Sequence, residues 1–119
     1  MPSNFKWIRI AFSKEELTSV LGKGGITSIN AGGKTICIVY DEGTLHALGN
    51  RCPHAGGSLG EGWCDGKGNV VCPVHRITYN LKTGRSVSGE GFNVETYPVE
   101  IRPDGIWLAI RENRWFPFW

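Results

Sequence analysis

No apolar run in the 119-residue sequence approaches the roughly 20 residues of a membrane span, so we expect no transmembrane helix. The thirteen Lys and Arg residues are scattered without a basic block, and the net charge is only +2. Both features argue against a nucleic-acid partner. The N-terminus lacks the charged, apolar and small-residue pattern of a secretory signal, so a cytoplasmic location is the default expectation.

Helix signals are also scarce. Only "SKEELTSVL" at 13–21 has a convincing start, with Ser13 as the cap and Glu16 three residues later, and this helix should end at Gly22. Elsewhere short apolar segments alternate with turns rich in glycine and proline, which predicts an all-β barrel or sandwich in a single domain, residues 1–119. Strand-like segments are "ITSIN", "KTICIVY", "TLHAL", "ITYNL", "VETYPVEI" and "GIWLAI".

Cysteine and histidine are few but concentrated. Without a secretory signal, the four cysteines indicate a metal or redox site rather than a disulfide framework. Two cysteines and two histidines lie in "CPHAGGSLGEGWCDGKGNVVCPVH", residues 52–75. It begins Cys-Pro-His and ends Cys-Pro-Val-His, and proline stiffens both loops. Between them "GWCDGKGNVV" predicts a hairpin turning at 65–69, which would bring the two Cys/His loops side by side.

Three kinds of site compete for these residues. A tetrahedral zinc accepts such ligands, although zinc fingers usually pair cysteine with cysteine and histidine with histidine. A catalytic Cys–His dyad needs one pair and leaves the second unexplained. A two-iron, two-sulfide cluster of the Rieske type uses all four, because one iron takes both cysteines and the other takes both histidines. The residue pattern favours this third reading.

The sequence closely resembles the Rieske family in Cys52-Pro53-His54, 17 intervening residues, and then Cys72-Pro73-Val74-His75. The glycine-rich "AGGSLGEG", the stretch "ITYNLKTG" and the closing "VETYPVEI…GIWLAI" resemble the same family, and the similarity covers roughly residues 35–110. The resemblance implies stacked antiparallel sheets with an inserted cluster-binding subdomain at about 46–80. It also implies one [2Fe-2S] cluster per chain.

Site residues follow from the same resemblance. Cys52 and Cys72 would hold the inner iron, and His54 and His75 would hold an outer iron near the surface. We expect the outer histidines to face solvent, ringed by Ala55, Gly56, Gly57, Leu59 and Val74.

The resemblance further places this chain in the low-potential branch of the family. High-potential members carry a disulfide at the positions of Gly57 and Val74, and a serine that donates to a bridging sulfide at the position of Ile77. Losing a donor to cluster sulfur lowers the potential. The Tyr79 hydroxyl would partly offset this by reaching a cysteine sulfur. Arg76 departs from the glycine usual after the second histidine.

The remaining unusual residues have structural interpretations. We expect Cys37 in the core, Cys64 as a free thiol, and His46 as a structural histidine rather than a ligand. We also expect Trp7 and Trp107 to fill the core. The aromatic tail, 111–119, contains "RWFPFW" and should fold back over the barrel, with self-association as an alternative.

The function implied is that of a one-electron carrier and not of an enzyme. It would pass electrons from a flavin-dependent reductase to a terminal oxygenase. One alternative is a small Rieske subunit of a larger reductase of the nitrite reductase type. Another, from a different class, is a zinc-stabilised binding module.

Overall fold

The computed structural model describes residues 5–22, 24–53, 56–87 and 91–111, except for the side chain of Arg111. These residues form three antiparallel sheets and one α-helix, so the all-β prediction is confirmed. The elements are β1 (Phe5–Ala11), α1 (Lys14–Leu21), β2 (Ile26–Ala31), β3 (Lys34–Asp41), β4 (Thr44–Gly49), β5 (Trp63–Cys64), β6 (Asn69–Val71), β7 (Thr78–Asn80), β8 (Thr96–Tyr97), β9 (Val99–Arg102) and β10 (Gly105–Arg111).

The sheet orders are β1-β10-β9, β2-β3-β4-β8 and β5-β6-β7. The first two sheets share one apolar core, in which side chains such as Ile36, Ile38 and Leu108 are fully buried. The third sheet packs on the other side of β3 and β4 through a second core, which contains Val39, Leu48 and Tyr79. The small sheet is therefore a separate layer built on the middle sheet, and the segment between β4 and β7 is held there.

Helix α1 begins and ends where the capping residues predict. The Ser13 hydroxyl accepts the backbone N–H of Glu16 at 3.1 Å, and the Glu16 carboxylate in turn accepts the N–H of Phe12. The helix ends at Gly22, whose positive φ of 73° suits glycine at a helix end. Leu17 and Leu21 bury one face of the helix against the first core. No described helix is long and apolar enough to cross a membrane.

Two features of the first sheet differ from the sequence prediction. Strand β1 was not predicted, although it pairs with β10 from Phe5 opposite Arg111 to Ala11 opposite Ile106, with one irregularity between Arg9 and Ala11. The expectation that Trp7 and Trp107 fill the core is wrong. Both are only half-buried, because they lie outside the two cores and stack under Arg102, at 4.8 Å and 4.9 Å from the ring centres. A guanidinium over an indole keeps apolar ring surface from water without burial in the core.

The single-domain organisation, the limits of the cluster-binding subdomain at about 46–80, and the tail's role stay predictions. The tail beyond Arg111 lies outside the described residues.

Candidate metal centre

Two loops of the same construction carry the candidate cysteines. The backbone N–H of Cys52 donates to the carbonyl of Gly57 at 2.9 Å, and the N–H of Cys72 donates to the carbonyl of Ile77, also at 2.9 Å. Each bond closes a six-residue loop that starts at the cysteine. The sequence similarity between the two Cys-Pro motifs therefore becomes a structural similarity.

The β5–β6 hairpin brings these loops together, as its sequence predicts. Its turn is fixed by Asp65, whose carboxylate accepts the N–H of Lys67 at 2.7 Å and that of Asn69 at 3.2 Å. Burial raises the pKa of the Asp65 carboxyl group, but the hydrogen bonds from Asn69 and Lys67 and the charge of Lys67 together outweigh it, so this pKa lies below its usual value. Strand β6 then leads directly into Cys72.

Contact between the loops is close at Gly57. A Cβ atom placed on Gly57 would lie 2.8 Å from Val74 Cγ2 and 3.1 Å from the sulfur of Cys72. Glycine therefore fits there without displacing Val74. Any side chain at this position would press on the Cys72 sulfur, so a bulky substitution cannot probe partner docking without also disturbing the site.

The two candidate thiols are fully buried in the second core. Burial raises the pKa of the Cys72 thiol, the N–H of Val74 lowers it in part, and the neighbouring Cys52 thiol raises it further. The Cys52 sulfur lies 3.2 Å from the Tyr79 hydroxyl, which confirms that Tyr79 reaches a cysteine sulfur. A pair of adjacent thiols in an apolar core, with a hydroxyl directed at one sulfur, suits a metal that replaces both protons.

His75 lies on the second loop and is exposed, while Cys72 three residues earlier is buried. His75 and Arg76 both have positive φ, 63° and 57°, which non-glycine residues rarely adopt. This conformation explains why glycine suits the position of Arg76. His54 lies outside the described residues, so its predicted role stays a prediction.

The other cysteines and histidine have structural surroundings. Cys37 is fully buried, and burial, with a smaller effect from Cys64, raises its pKa to about 12. Cys64 is a partly buried free thiol whose pKa is raised mainly by burial. Burial lowers the pKa of His46, although Asp41 acts in the opposite direction. In the described ranges, no three His, Cys, Asp or Glu side chains are grouped to hold one metal ion.

The predicted rim around the outer histidines is partly wrong. Gly56 and Val74 are exposed and Gly57 is half-buried, but Leu59 is fully buried in the core beside Cys52 and Cys72. Leu59 begins a single 3-10 turn, Leu59–Glu61, and its backbone N–H donates to the carbonyl of Asn50 at 2.8 Å. This bond ties the first loop to the end of β4 and turns the Leu59 side chain inward. Ala55 lies outside the described residues.

A family model, the Rieske [2Fe-2S] domain, matches residues 6–98. The chain belongs to the Rieske [2Fe-2S] domain family. Membership in the Rieske family implies one Rieske-type cluster in this chain, so the predicted cofactor is confirmed. The match also extends the resemblance noted in the sequence to β1 at the N-terminal side.

Curated relatives include the ferredoxin subunit of 3-phenylpropionate/cinnamic acid dioxygenase from Photorhabdus laumondii. It is 28% identical over 80 residues, which cover 66% of this chain and 76% of the relative. Among solved structures, the ferredoxin of carbazole 1,9a-dioxygenase from Nocardioides aromaticivorans IC177 has a TM-score of 0.73 at 23% identity, covering 87% of this chain and 96% of that one.

Two further structures share the fold. One is a complex of reduced oxygenase and oxidised ferredoxin in carbazole 1,9a-dioxygenase, in which the matching chain has a TM-score of 0.72 at 24% identity and the coverage is 87% and 92%. The other is a putative NADH-dependent nitrite reductase small subunit from Mycobacterium tuberculosis, with a TM-score of 0.73 at 22% identity and coverage of 89% and 96%. At these identities the likeness establishes the stacked-sheet fold of the Rieske family.

The described residues fit a Rieske cluster. The donor set on the two loops supplies two buried sulfurs on one side, Cys52 and Cys72, and an exposed imidazole, His75, on the other. This division of buried thiolates from an accessible histidine is what a cluster ligated by two cysteines and two histidines requires.

Replacing Tyr79 with phenylalanine is expected to lower the reduction potential by on the order of 40 mV, taking about 1 kcal/mol for the lost bond. When Cys52 binds iron as a thiolate it has no proton to give, so the Tyr79 hydroxyl must be the donor. Donation to sulfur favours the reduced, more negative state. Phenylalanine keeps the buried ring, and protein-film voltammetry measures the change. A potential equal to that of the parent would show that this contact does not tune the cluster.

Proposed function

We propose that this chain is the ferredoxin component of an oxygenase system and that it carries one electron at a time from a flavin-dependent reductase to a terminal oxygenase. The observation that carries this proposal is the asymmetry of the two loops. Cys52 and Cys72 are fully buried in an apolar core, whereas His75 of the same site is exposed. A site insulated on one side and open on the other exchanges electrons through its open side.

The ligands in this proposal are Cys52 and Cys72 for the inner iron, and His54 and His75 for the outer iron. When bound, the cluster supplies reversible one-electron chemistry. The protein contributes two closed loops that hold the ligands, the Tyr79 hydroxyl directed at the Cys52 sulfur at 3.2 Å, and an apolar core that excludes water from both sulfurs. No covalent bond of a substrate has to be made or broken for this task, so the chain is a carrier rather than a catalyst.

The choice of partners is supported by two curated relatives, each named as the ferredoxin subunit of a 3-phenylpropionate/cinnamic acid dioxygenase. A solved structure of carbazole 1,9a-dioxygenase contains a ferredoxin of this fold in complex with the oxygenase. The similarity to a nitrite reductase small subunit is a similarity of fold, and it does not favour that alternative over the carrier.

The experiment is a metal and redox analysis of the purified protein. We expect a red-brown protein with about two irons and two acid-labile sulfides per chain. It should accept one electron per chain from dithionite and return it to a mild oxidant over repeated cycles without losing colour. A colourless protein containing zinc would overturn the proposal in favour of a binding module, and irreversible bleaching after one reduction would overturn the carrier role.

A further inference from the structure

Trp63 differs from the other tryptophans of the described residues. It lies on β5, at the edge of the small sheet, with 45% of its surface exposed. Trp7 and Trp107 each carry a guanidinium over the ring, and the indole N–H of Trp107 donates to Asp104 at 2.9 Å. In the part of the chain that the structure describes, Trp63 has neither kind of contact. An exposed indole with its N–H free is a common anchor residue in protein interfaces.

The position of Trp63 connects it to the cluster loops. Trp63 is opposite Val71 and Val71 is opposite Thr78, so these three side chains form one row on the same face of the sheet. The neighbouring row, which includes Tyr79, faces the core. Val71 immediately precedes Cys72, and a Cβ on Gly62 would lie 3.2 Å from Pro73 Cδ. Trp63 therefore stands beside the Cys72 loop, on which Val74 is 39% exposed.

Two arginines flank the same loops. Arg51 and Arg76 are both exposed, and each is adjacent in sequence to a predicted ligand. The guanidinium of Arg51 lies over the first loop, 3.5 Å from the position of a Cβ on Gly56. The only ion pair among the described residues joins Arg102 to Glu100, so neither arginine of the site has a carboxylate partner there. A guanidinium without an internal partner is available to a carboxylate of another protein.

A purely structural role does not account for this group of residues. Trp63 does cover Val71, which is only 7% exposed, but a smaller apolar side chain would also shield one valine. The segments 50–64 and 71–78 contain two arginines and a single acidic residue, Glu61. The exposed surface next to the site is therefore apolar at its centre and positively charged at its edge.

We propose that Trp63, Val74, Arg51 and Arg76 form the docking surface for the electron acceptor, and that the matching surface of the acceptor is an apolar pocket surrounded by carboxylates. Trp63 fills the pocket and the two arginines pair with the carboxylates. This inference rests on the proposed carrier function, since it names the chemistry of the partner at the same site. Charge at the edge of such a surface mainly speeds encounter, which suits a carrier that must also leave.

The test of the charge uses the cluster-loaded protein and two small oxidants of opposite charge, ferricyanide and tris(phenanthroline)cobalt(III). Replacing Arg76 with glutamine should slow oxidation of the reduced protein by ferricyanide about threefold at low salt and should speed oxidation by the cobalt complex. Both effects should shrink as salt is added. The matched control is Lys67→Gln, which removes one charge at the opposite end of the β5–β6 hairpin and should change neither rate.

The test of Trp63 separates aromatic contact from charge. Trp63→Ala should slow electron transfer to dichlorophenolindophenol, an aromatic anion, about fivefold, because stacking on an aromatic ring is worth about 1 kcal/mol. Its rate with ferricyanide should stay at the parental value. Fluorescence quenching gives a readout that is independent of electron transfer. The Trp63 signal is obtained by subtracting the fluorescence of Trp63→Phe from that of the parent. Iodide should quench this signal more than caesium does, and Arg76→Gln should reduce the difference.

These outcomes distinguish the two proposals. A protein without a Rieske cluster contradicts the carrier function itself. The docking surface alone is contradicted if the cluster-loaded variants keep the parental absorption and potential and Arg76→Gln changes the two oxidation rates no more than Lys67→Gln does. Equal quenching of the Trp63 fluorescence by iodide and caesium would also contradict the docking surface, because it would mean that no positive field surrounds the indole.

Discussion

Replacing Cys72 with serine is expected to leave the purified protein without iron, acid-labile sulfide or visible colour. Cys72 is fully buried and lies beside Cys52, so its loss removes one of the two sulfurs that the Cys-Pro loops bring together. Cys52→Ser should have the same result. Iron analysis and the absorption spectrum measure it.

The other two cysteines provide matched controls. Cys37→Ser and Cys64→Ser each remove one thiol from the second core or its edge, and each should keep the full iron content. Cys37→Ser should cost some stability because it places a hydroxyl in a fully buried position. Loss of colour in Cys64→Ser, together with its retention in Cys72→Ser, would contradict the assignment of ligands.

The histidines extend the same test to the outer iron. His75→Ala removes an exposed side chain whose loop is already closed by a backbone bond between Cys72 and Ile77. The loop should therefore keep its shape while the cluster is lost. His54→Ala should lose the cluster as well.

Much of the fold is predictable because its signals are local. The cap of α1 depends on Ser13 and Glu16, and the β5–β6 turn depends on Asp65, all within a few residues of the backbone groups that they bind. The two Cys-Pro motifs predicted two similar loops, and both close through the same backbone bond. The family's stacked sheets are confirmed by the strand pairing.

The errors concern properties that depend on distant partners. Strand β1 has the alternating sequence "FKWIRIA", but only its pairing with β10, about a hundred residues away along the chain, makes it a strand. Trp7 was expected in the core, because no local signal says that Arg102 covers it. Leu59 was placed on the rim for the same reason. Its inward direction is set by a bond to Asn50 and by the packing of the second core.

The site itself is predictable in its ligands but not in its surroundings. The spacing of cysteine and histidine indicates the chemistry, whereas the exposure of Trp63 follows from its place on an edge strand opposite Val71. The only sequence signal for an exposed Trp63 was its place between two turns, as the second residue of the predicted hairpin. The conformation of Arg76 likewise needs the backbone, since only its φ of 57° explains why glycine suits that position.

Joining the two loops by a disulfide is expected to raise the free energy of unfolding by about 3 kcal/mol, the value typical for closing a loop of roughly 15 residues. In the double variant Gly57→Cys/Val74→Cys the two Cβ atoms would start slightly closer than the roughly 3.5–4.5 Å that a disulfide spans, because a Cβ on Gly57 lies 3.3 Å from Val74 Cβ. These are also the positions where the resemblance places the disulfide of high-potential Rieske proteins.

Urea unfolding of the cluster-loaded protein measures the gain, and a thiol count shows whether the bond has formed. The matched control is Gly57→Ser/Val74→Cys, which introduces a similar side chain next to the Cys72 sulfur but cannot form the bond. The control should be less stable than the parent, since any Cβ at position 57 presses on that sulfur at 3.1 Å. The difference between the two double variants then isolates the cross-link from the crowding. A thiol count in the oxidised double variant that is two higher than in the parent would show that the loops do not meet at Gly57 and Val74.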